Sequence, residues 1–285
     1  MSRILITGSN GQLGTDVVAY LKSTSTNVIL PVDVREMDLS KIDDIYDKLV
    51  SLKPEIIIHC AAFTAVDEAE DNSFLCMRIN AEATRVIAEY AADFDVLVVY
   101  ISTDYVFNGE NDLPYNEDDA TNPINLYGVS KLIGERHIES LLDKYFILRI
   151  SWVFGIHGNN FIKTMLRLAQ SRDEINVVSD QFGSPTSTKD LARLIFEMIN
   201  SDNYGTYHVT NEGFCSWYEF ACEIFNQFDI DIKVIPISSA EFPTRAKRPK
   251  NSRLCKNKLV ENGFKLFPHW RDALADWRID YERMD

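Results

Sequence analysis

The first fifteen residues constrain the fold of this chain most. An apolar run at residues 3–7 ends on Gly8, Gly11 and Gly14 follow at three-residue spacing, and residues 12–22 carry an amphipathic helical pattern. A strand that turns through glycines straight into a helix offers free backbone N–H groups and the positive end of a helix dipole. Glycines also let the backbone approach a pyrophosphate closely, so the arrangement predicts a nucleotide-binding strand–turn–helix unit. The spacing is G-x-x-G-x-x-G, not the G-x-G-x-x-G of ordinary dehydrogenases.

A second strand, at 28–32, ends at Asp33. A carboxylate there, about 20 residues past the glycines, accepts hydrogen bonds from an adenosine ribose and repels a 2′-phosphate. Arg35 stands two residues on and counters that repulsion, so the choice between NADH and NADPH stays open. Asp38-Leu39-Ser40 reads as an adenine-side loop and cap before a helix at 41–52. A strand at 55–60 closes on Ala61-Ala62-Phe63-Thr64, whose small residues let a flat cofactor pass close by. A long helix at 74–92 carries Asn80, and an apolar strand at 96–101 delivers Ser102-Thr103-Asp104 to its carboxyl end, where ligands sit in open α/β sheets. This alternation predicts an α/β fold, a Rossmann-type doubly wound parallel sheet over residues 1–150.

Tyr127 and Lys131 stand four apart, which on a helix places them on one face. A phenol beside an ammonium is a proton donor in the making, because the positive charge is expected to lower the tyrosine pKa from about 10. Alone the pair is weak, since both residues are common on solvated helix faces; Ser102-Thr103-Asp104 upstream strengthens it.

Three blocks together resemble the extended short-chain dehydrogenase/reductases: Thr7-Gly8-Ser9-Asn10-Gly11-Gln12-Leu13-Gly14, Ser102-Thr103-Asp104-Tyr105-Val106-Phe107 and Tyr127-Gly128-Val129-Ser130-Lys131. Within them the chain is most similar to the dTDP-4-dehydrorhamnose reductases, through Ala61 to Asp67, Ser151-Trp152-Val153-Phe154, Gly158-Asn159-Asn160-Phe161, Asp180 to Thr186 and Arg248 to Leu254. The resemblance implies reduction, by NADH or NADPH, of the C4 ketone of dTDP-4-dehydro-L-rhamnose to dTDP-L-rhamnose, a precursor of cell-surface polysaccharide. It implies Thr103, Tyr127 and Lys131 as the catalytic group. Thr103, Asp104, Trp152, Asn160 and Arg248 fall on the sugar-nucleotide side. Gly11, Gln12, Leu13, Asp33, Asp38, Leu39, Ala62, Phe63 and Thr64 fall on the cofactor side, with Tyr127 and Lys131. Sugar-nucleotide dehydratases carry a carboxylate base where this chain has Tyr105, so reduction without elimination fits better; a packing role for Tyr105 is equally open. Other readings are a reductase or epimerase of another nucleotide sugar, and a non-catalytic dinucleotide-binding regulatory subunit, which the intact trio disfavours. Some relatives form metal-bridged dimers through acidic side chains. Asp16 and Asp190 stand at matching places where glutamate is expected, so a magnesium bridge and the choice of monomer or homodimer stay open. The reduction itself calls for no metal.

Residues 151–285 read as a smaller mixed substrate-binding lobe interleaved with the last sheet elements. A strand is expected at 145–150, helices at 161–170, 188–201 and 216–228, short strands at 175–178 and 206–209, and a closing helix over 256–285 with Trp270 and Trp277 inward. Arg245, Lys247, Arg248, Lys250 and Arg253 form a basic run around Pro249, hence a loop. It suits a diphosphate, which arginine forks match geometrically; the alternative is a solubilising loop. The run is conspicuous because the formal net charge is −14, which disfavours nucleic acid and anionic membranes as partners. No apolar run is long enough to span a bilayer, and Met1 leads directly into a strand pattern without a signal-peptide layout. Five scattered cysteines without a C-x-x-C pair read as reduced thiols, which points to a cytoplasmic enzyme.

Overall fold

The computed structural model describes residues 1–283. Strands β1 (Arg3–Thr7), β2 (Val28–Val32), β3 (Ile56–His59), β4 (Leu97–Thr103) and β5 (Tyr145–Ile150) join the strand Gly205–His208 in one sheet. Its order is Gly205–His208, β5, β4, β3, β1, β2, and every neighbouring pair is parallel. Successive side chains of a strand point to opposite faces. Ile4 and Ile6 of β1 therefore enter one core, with Leu13, Val17 and Leu21 of helix α1 (Gln12–Thr24) and Leu191 and Ile195 of the helix Thr188–Met198. Leu5 enters the other, with Ile45 and Leu49 of α2 (Ile42–Leu52), Val86 and Ile87 of the helix Ala83–Phe94, and Ile138 of the helix Leu126–Leu141. A sheet covered on both faces needs continuous apolar strands, which is why 3–7, 55–60 and 96–101 read so clearly. From β1 the chain turns to one side for β2 and to the other for β3. The order reverses there, and a crevice opens at the carboxyl ends of these strands.

Residues beyond β5 also build a third core, around Phe220, Ile224, Trp270, Leu274 and Trp277. A parallel pair, Glu174–Val178 with Lys233–Ile237, flanks it. Three features differ from expectation. The helix expected at 74–92 is interrupted: Ser73–Met77 and Ala83–Phe94 are α-helical, and Arg78–Glu82 between them is a π turn carrying Asn80. Such single-turn bulges are frequent at functional sites. The closing helix is two, Asn257–Glu261 and Trp270–Glu282, because Gly263 takes φ +80° and Pro268 cannot continue a helix. Residues 284 and 285 of that expectation lie outside the described residues. The short helix α3 (Val66–Asp71) and the strand Lys233–Ile237 went unread.

Candidate active site

Gly8 ends β1 with φ +63°, the left-handed region that glycine adopts without a Cβ penalty. A Cβ here would lie 2.8 Å from Ala61 Cα, and one on Gly14 would lie 2.1 Å from the Gly8 carbonyl oxygen. The glycines thus let α1 and the end of β3 close on the turn. Gly11 is the N-cap of α1 and carries no side-chain cap, so the first N–H groups of the helix remain available. Gly8, Gly11, Gln12, Leu13, Asp33, Asp38, Leu39, Ala62 and Thr64 line one crevice of about 660 Å³ with Thr103, Asp104, Tyr127, Lys131 and Trp152. Gly14, Phe63 and Arg35 lie off this wall. Gly14 serves helix–turn contact, and Arg35 reaches back to Asp33, Nη2 to Oδ2 at 2.7 Å. That contact holds the Asp33 carboxyl well below the usual carboxylate range. Ser40 donates to Asp38 Oδ1 at 2.7 Å and lowers the Asp38 pKa. A cradle that any Cβ would fill, an uncapped helix N-terminus and a carboxylate at the end of β2 fit a dinucleotide.

β4 carries Thr103 and leads into Asp104, both buried. Thr103 donates from Oγ1 to Asp104 Oδ1 at 2.9 Å and accepts from the Tyr105 N–H at 3.2 Å. Burial pushes Asp104 up to about 6 against the Ser252 and Thr103 hydroxyls. Its Oδ2 has no hydrogen-bond partner among the described residues.

Tyr127 and Lys131 share one face of Leu126–Leu141, whose N-cap Asn125 accepts from the Gly128 N–H at 2.8 Å. Asn80 fastens this helix to the cofactor loop. Its Oδ1 accepts from the Phe63 N–H at 2.7 Å, and its Nδ2 donates to the Phe63 carbonyl at 3.0 Å and to Ser130 Oγ at 2.9 Å. Ser130 in turn donates to the Tyr127 carbonyl at 2.7 Å. Lys131 is buried, with Nζ 3.9 Å from the centroid of the Tyr100 ring. Burial pulls it down to about 7, opposed chiefly by Glu135 one turn on. Glu135 is itself fixed by a two-pronged contact with Arg149, at 2.8 and 3.0 Å, and by the Ser102 hydroxyl.

The expected electrostatics of the pair need correction. Burial raises the Tyr127 phenol, the Asp104 charge raises it further, and the Thr103 hydroxyl only partly offsets this. Lys131 does not pull the tyrosine below its ordinary value. The phenol stays protonated as a donor, while the lysine titrates near neutrality.

Tyr105 stands between two cavities. It meets Tyr127 edge-on, with centroids 5.9 Å apart, and lines both this crevice and an adjoining cavity of about 1320 Å³. Trp152 also faces the crevice, from a left-handed backbone at φ +50° that is unusual for a bulky residue. Its indole stacks on Trp217 at 3.6 Å, and a Cβ on Gly183 would strike it.

Asn160, expected on the sugar-nucleotide side, lines neither this crevice nor the adjoining cavity. It caps the helix Phe161–Ala169 and donates to Gln12 Oε1 and the Gly155 carbonyl, both at 2.8 Å, tying the glycine turn to the second half of the chain. The basic run lines the larger cavity through Lys247, Arg248, Lys250 and Arg253, but it is not a bare positive patch. Arg248 pairs with Asp67 and Arg245 with Asp71, while Arg253 donates to Asn251 Oδ1 at 2.8 Å. Asp16 accepts from Thr188 and Asp190 from Asn211, and no metal-suited cluster of three His, Cys, Asp or Glu occurs among the described residues. Sequence reasoning missed Asn125, a good N-cap residue before the helix and so detectable, and gave Asp67 no role beyond the block Ala61 to Asp67.

Residues 1–282 match the family model described as RmlD substrate binding domain. A dTDP-4-dehydrorhamnose reductase of Aggregatibacter actinomycetemcomitans is 39% identical over 98% of this chain and 99% of its own length. The crystal structure of a dTDP-4-dehydrorhamnose reductase from Clostridium acetobutylicum superposes with a TM-score of 0.95 at 43% identity, covering 99% of this chain and 100% of that one. The dTDP-4-dehydrorhamnose reductase of Bacillus anthracis, solved in complex with NADP, gives a TM-score of 0.94 at 44% identity, with 98% and 99% covered.

Proposed function

The chain belongs to the RmlD substrate-binding-domain family, and on that premise we propose that it reduces the C4 ketone of dTDP-4-dehydro-L-rhamnose to dTDP-L-rhamnose with NADPH or NADH. The observation that carries this reading is the convergence of Thr103, Tyr127 and Lys131 on the crevice that also holds the glycine turn and Asp33. The turn N–H groups would hold the pyrophosphate, Asp33 an adenosine ribose, and Lys131 the nicotinamide ribose. Bound there, the reduced nicotinamide supplies hydride.

Hydride arriving at a ketone carbon leaves negative charge on oxygen, which must meet a proton and a hydrogen bond. Tyr127, whose phenol faces this crevice, gives the proton. With its hydroxyl turned from Asp104 to the same oxygen, Thr103 would hold the carbonyl in line. Asp104, with one carboxylate oxygen unpartnered, takes a sugar hydroxyl. Trp152 and Trp217 wall the sugar, and Arg248 meets the diphosphate. Tyr105 stands where elimination would need a carboxylate base, so the reaction stops at reduction. Residues 151–285 supply most of the substrate side, and the proposed setting is the cytoplasm, in keeping with five unpaired cysteines.

The test mixes purified protein, NADPH or NADH, and dTDP-4-dehydro-L-rhamnose, follows loss of nicotinamide absorbance, and identifies the sugar product. Consumption of cofactor with formation of dTDP-L-rhamnose is expected. Cofactor binding without turnover would instead favour a dinucleotide-binding regulatory role.

A further inference from the structure

The helix α3 follows the cofactor loop directly, and its acidic side chains reach toward both the substrate side and the catalytic helix. Asp67 grips Arg248 with both oxygens: Nη2 to Oδ2 is 2.7 Å and Nη1 to Oδ1 is 3.2 Å. The same Oδ1 accepts from the Ala246 N–H at 3.1 Å. Asp71 pairs with Arg245. Glu70 accepts at 2.8 Å from the Leu126 N–H, at the start of the helix that carries Tyr127 and Lys131. The basic loop is tied a second time by Asn125, which caps that helix and donates to the Lys247 carbonyl at 2.8 Å. Beyond Asp67, Arg248 stands against Tyr105, which meets Tyr127 edge-on.

A carboxylate on the wall of a cavity that takes a diphosphate would repel its ligand if left free. Engaged by a guanidinium it does the opposite. Arginine is a planar fork with five donors, so a partner that fixes one edge directs the remaining N–H groups and removes rotamer freedom before the ligand arrives. We infer that Asp67 is a positioning residue: it aims Arg248 at the diphosphate of the nucleotide sugar and locks the substrate loop to the helix that adjoins the cofactor loop. This rests on the function proposed above.

Asp67→Asn keeps the side-chain shape and removes the charge. The expected result is a rise of about tenfold in KM for dTDP-4-dehydro-L-rhamnose and in Kd for dTDP measured by calorimetry, with kcat within about threefold and NADPH affinity unchanged. Asp67→Glu should recover most of the affinity. In an Arg248→Ala background, Asp67→Asn should move KM by less than about twofold, because both residues act through one guanidinium. A merely structural role would give equal effects in both backgrounds. That result, or unchanged dTDP affinity in Asp67→Asn, overturns the inference. Wild-type protein that binds dTDP without reducing the ketone would refute the proposed reaction, and the dTDP titrations would still decide on Asp67. Wild-type protein that does not bind dTDP would overturn both.

Discussion

The two sides of the crevice are built in different ways. On the cofactor side, close neighbours in sequence do the work: Gly8, Gly11 and Gly14 set one turn, and Arg35 answers Asp33 two residues away. On the substrate side, contacts form across long separations, with 181 positions between Arg248 and Asp67 and 122 between Asn125 and Lys247. The first construction depends on where a backbone can go, the second on which charges and amides find each other. Steric change should therefore damage the first most, and charge change the second. The catalytic helix lies between them, joined to the cofactor loop by Asn80 and to the substrate loop by Asn125.

The largest effect expected is at that junction. Tyr127→Phe removes the proposed proton donor and keeps the ring, so folding and cofactor affinity should survive while kcat falls by about 10²–10⁴. Steady-state kinetics beside cofactor titration check this, and near-normal turnover would mean that another group supplies the proton. Next comes the backbone side. Gly14→Ala puts a methyl 2.1 Å from the Gly8 carbonyl oxygen, and neither backbone can yield cheaply. A stability loss of about 1–3 kcal/mol is expected, with a matching loss of NADPH affinity. Thermal unfolding with and without NADPH measures both; an unperturbed variant would refute the claim that sterics govern this side.

What was legible in the sequence follows the same division. The glycine turn, Asp33, the parallel strands and the Tyr127–Lys131 face rest on local rules, and the boundaries 28–32 and 145–150 match the observed strands. The π turn at Asn80 was invisible, because residues 74–92 keep a helical pattern whether or not one turn bulges. The helix α3 buries only Ala69, so its apolar signal is too thin to read. The strand Lys233–Ile237, which pairs along one edge with Glu174–Val178, went unread although 28–32, with Pro31 at the matching place, did not. Depth was the main loss. Spacing places Lys131 beside Tyr127, but only the fold shows that burial, not their mutual attraction, governs both pKa values.

Asp104 offers an effect of similar size on the substrate side, present only at higher pH. Its folded pKa of about 6 lies above the ordinary carboxylate value of 3.8, so between these values the folded state holds the proton more tightly. Stability from this group is present below about pH 4 and is lost as pH rises through 6. Asp104→Asn lacks that loss. It should be more stable than wild type at pH 7.5 by on the order of 2–3 kcal/mol, with the advantage vanishing toward pH 4, and should bind the sugar nucleotide less well. Denaturant unfolding at the two pH values decides, and an advantage independent of pH would point to packing instead of charge.

The smallest effect expected tests whether the cofactor side is as local as it looks. Asp33 would repel a 2′-phosphate, yet Arg35 sits on its carboxylate with Nη2 2.7 Å from Oδ2 and is largely exposed beyond it. A phosphate arriving there meets a guanidinium already in place, whereas a ribose hydroxyl meets the carboxylate. These pulls oppose each other, so NADH and NADPH should bind with affinities within about tenfold. Arg35→Ala should shift the balance toward NADH, and Asp33→Ala should weaken NADH more than NADPH. Fluorescence titration of both cofactors against the three proteins supplies the comparison. A wild-type preference beyond about a hundredfold, left standing in Arg35→Ala, would place the discrimination outside this pair and end the claim that neighbouring residues alone set the cofactor side.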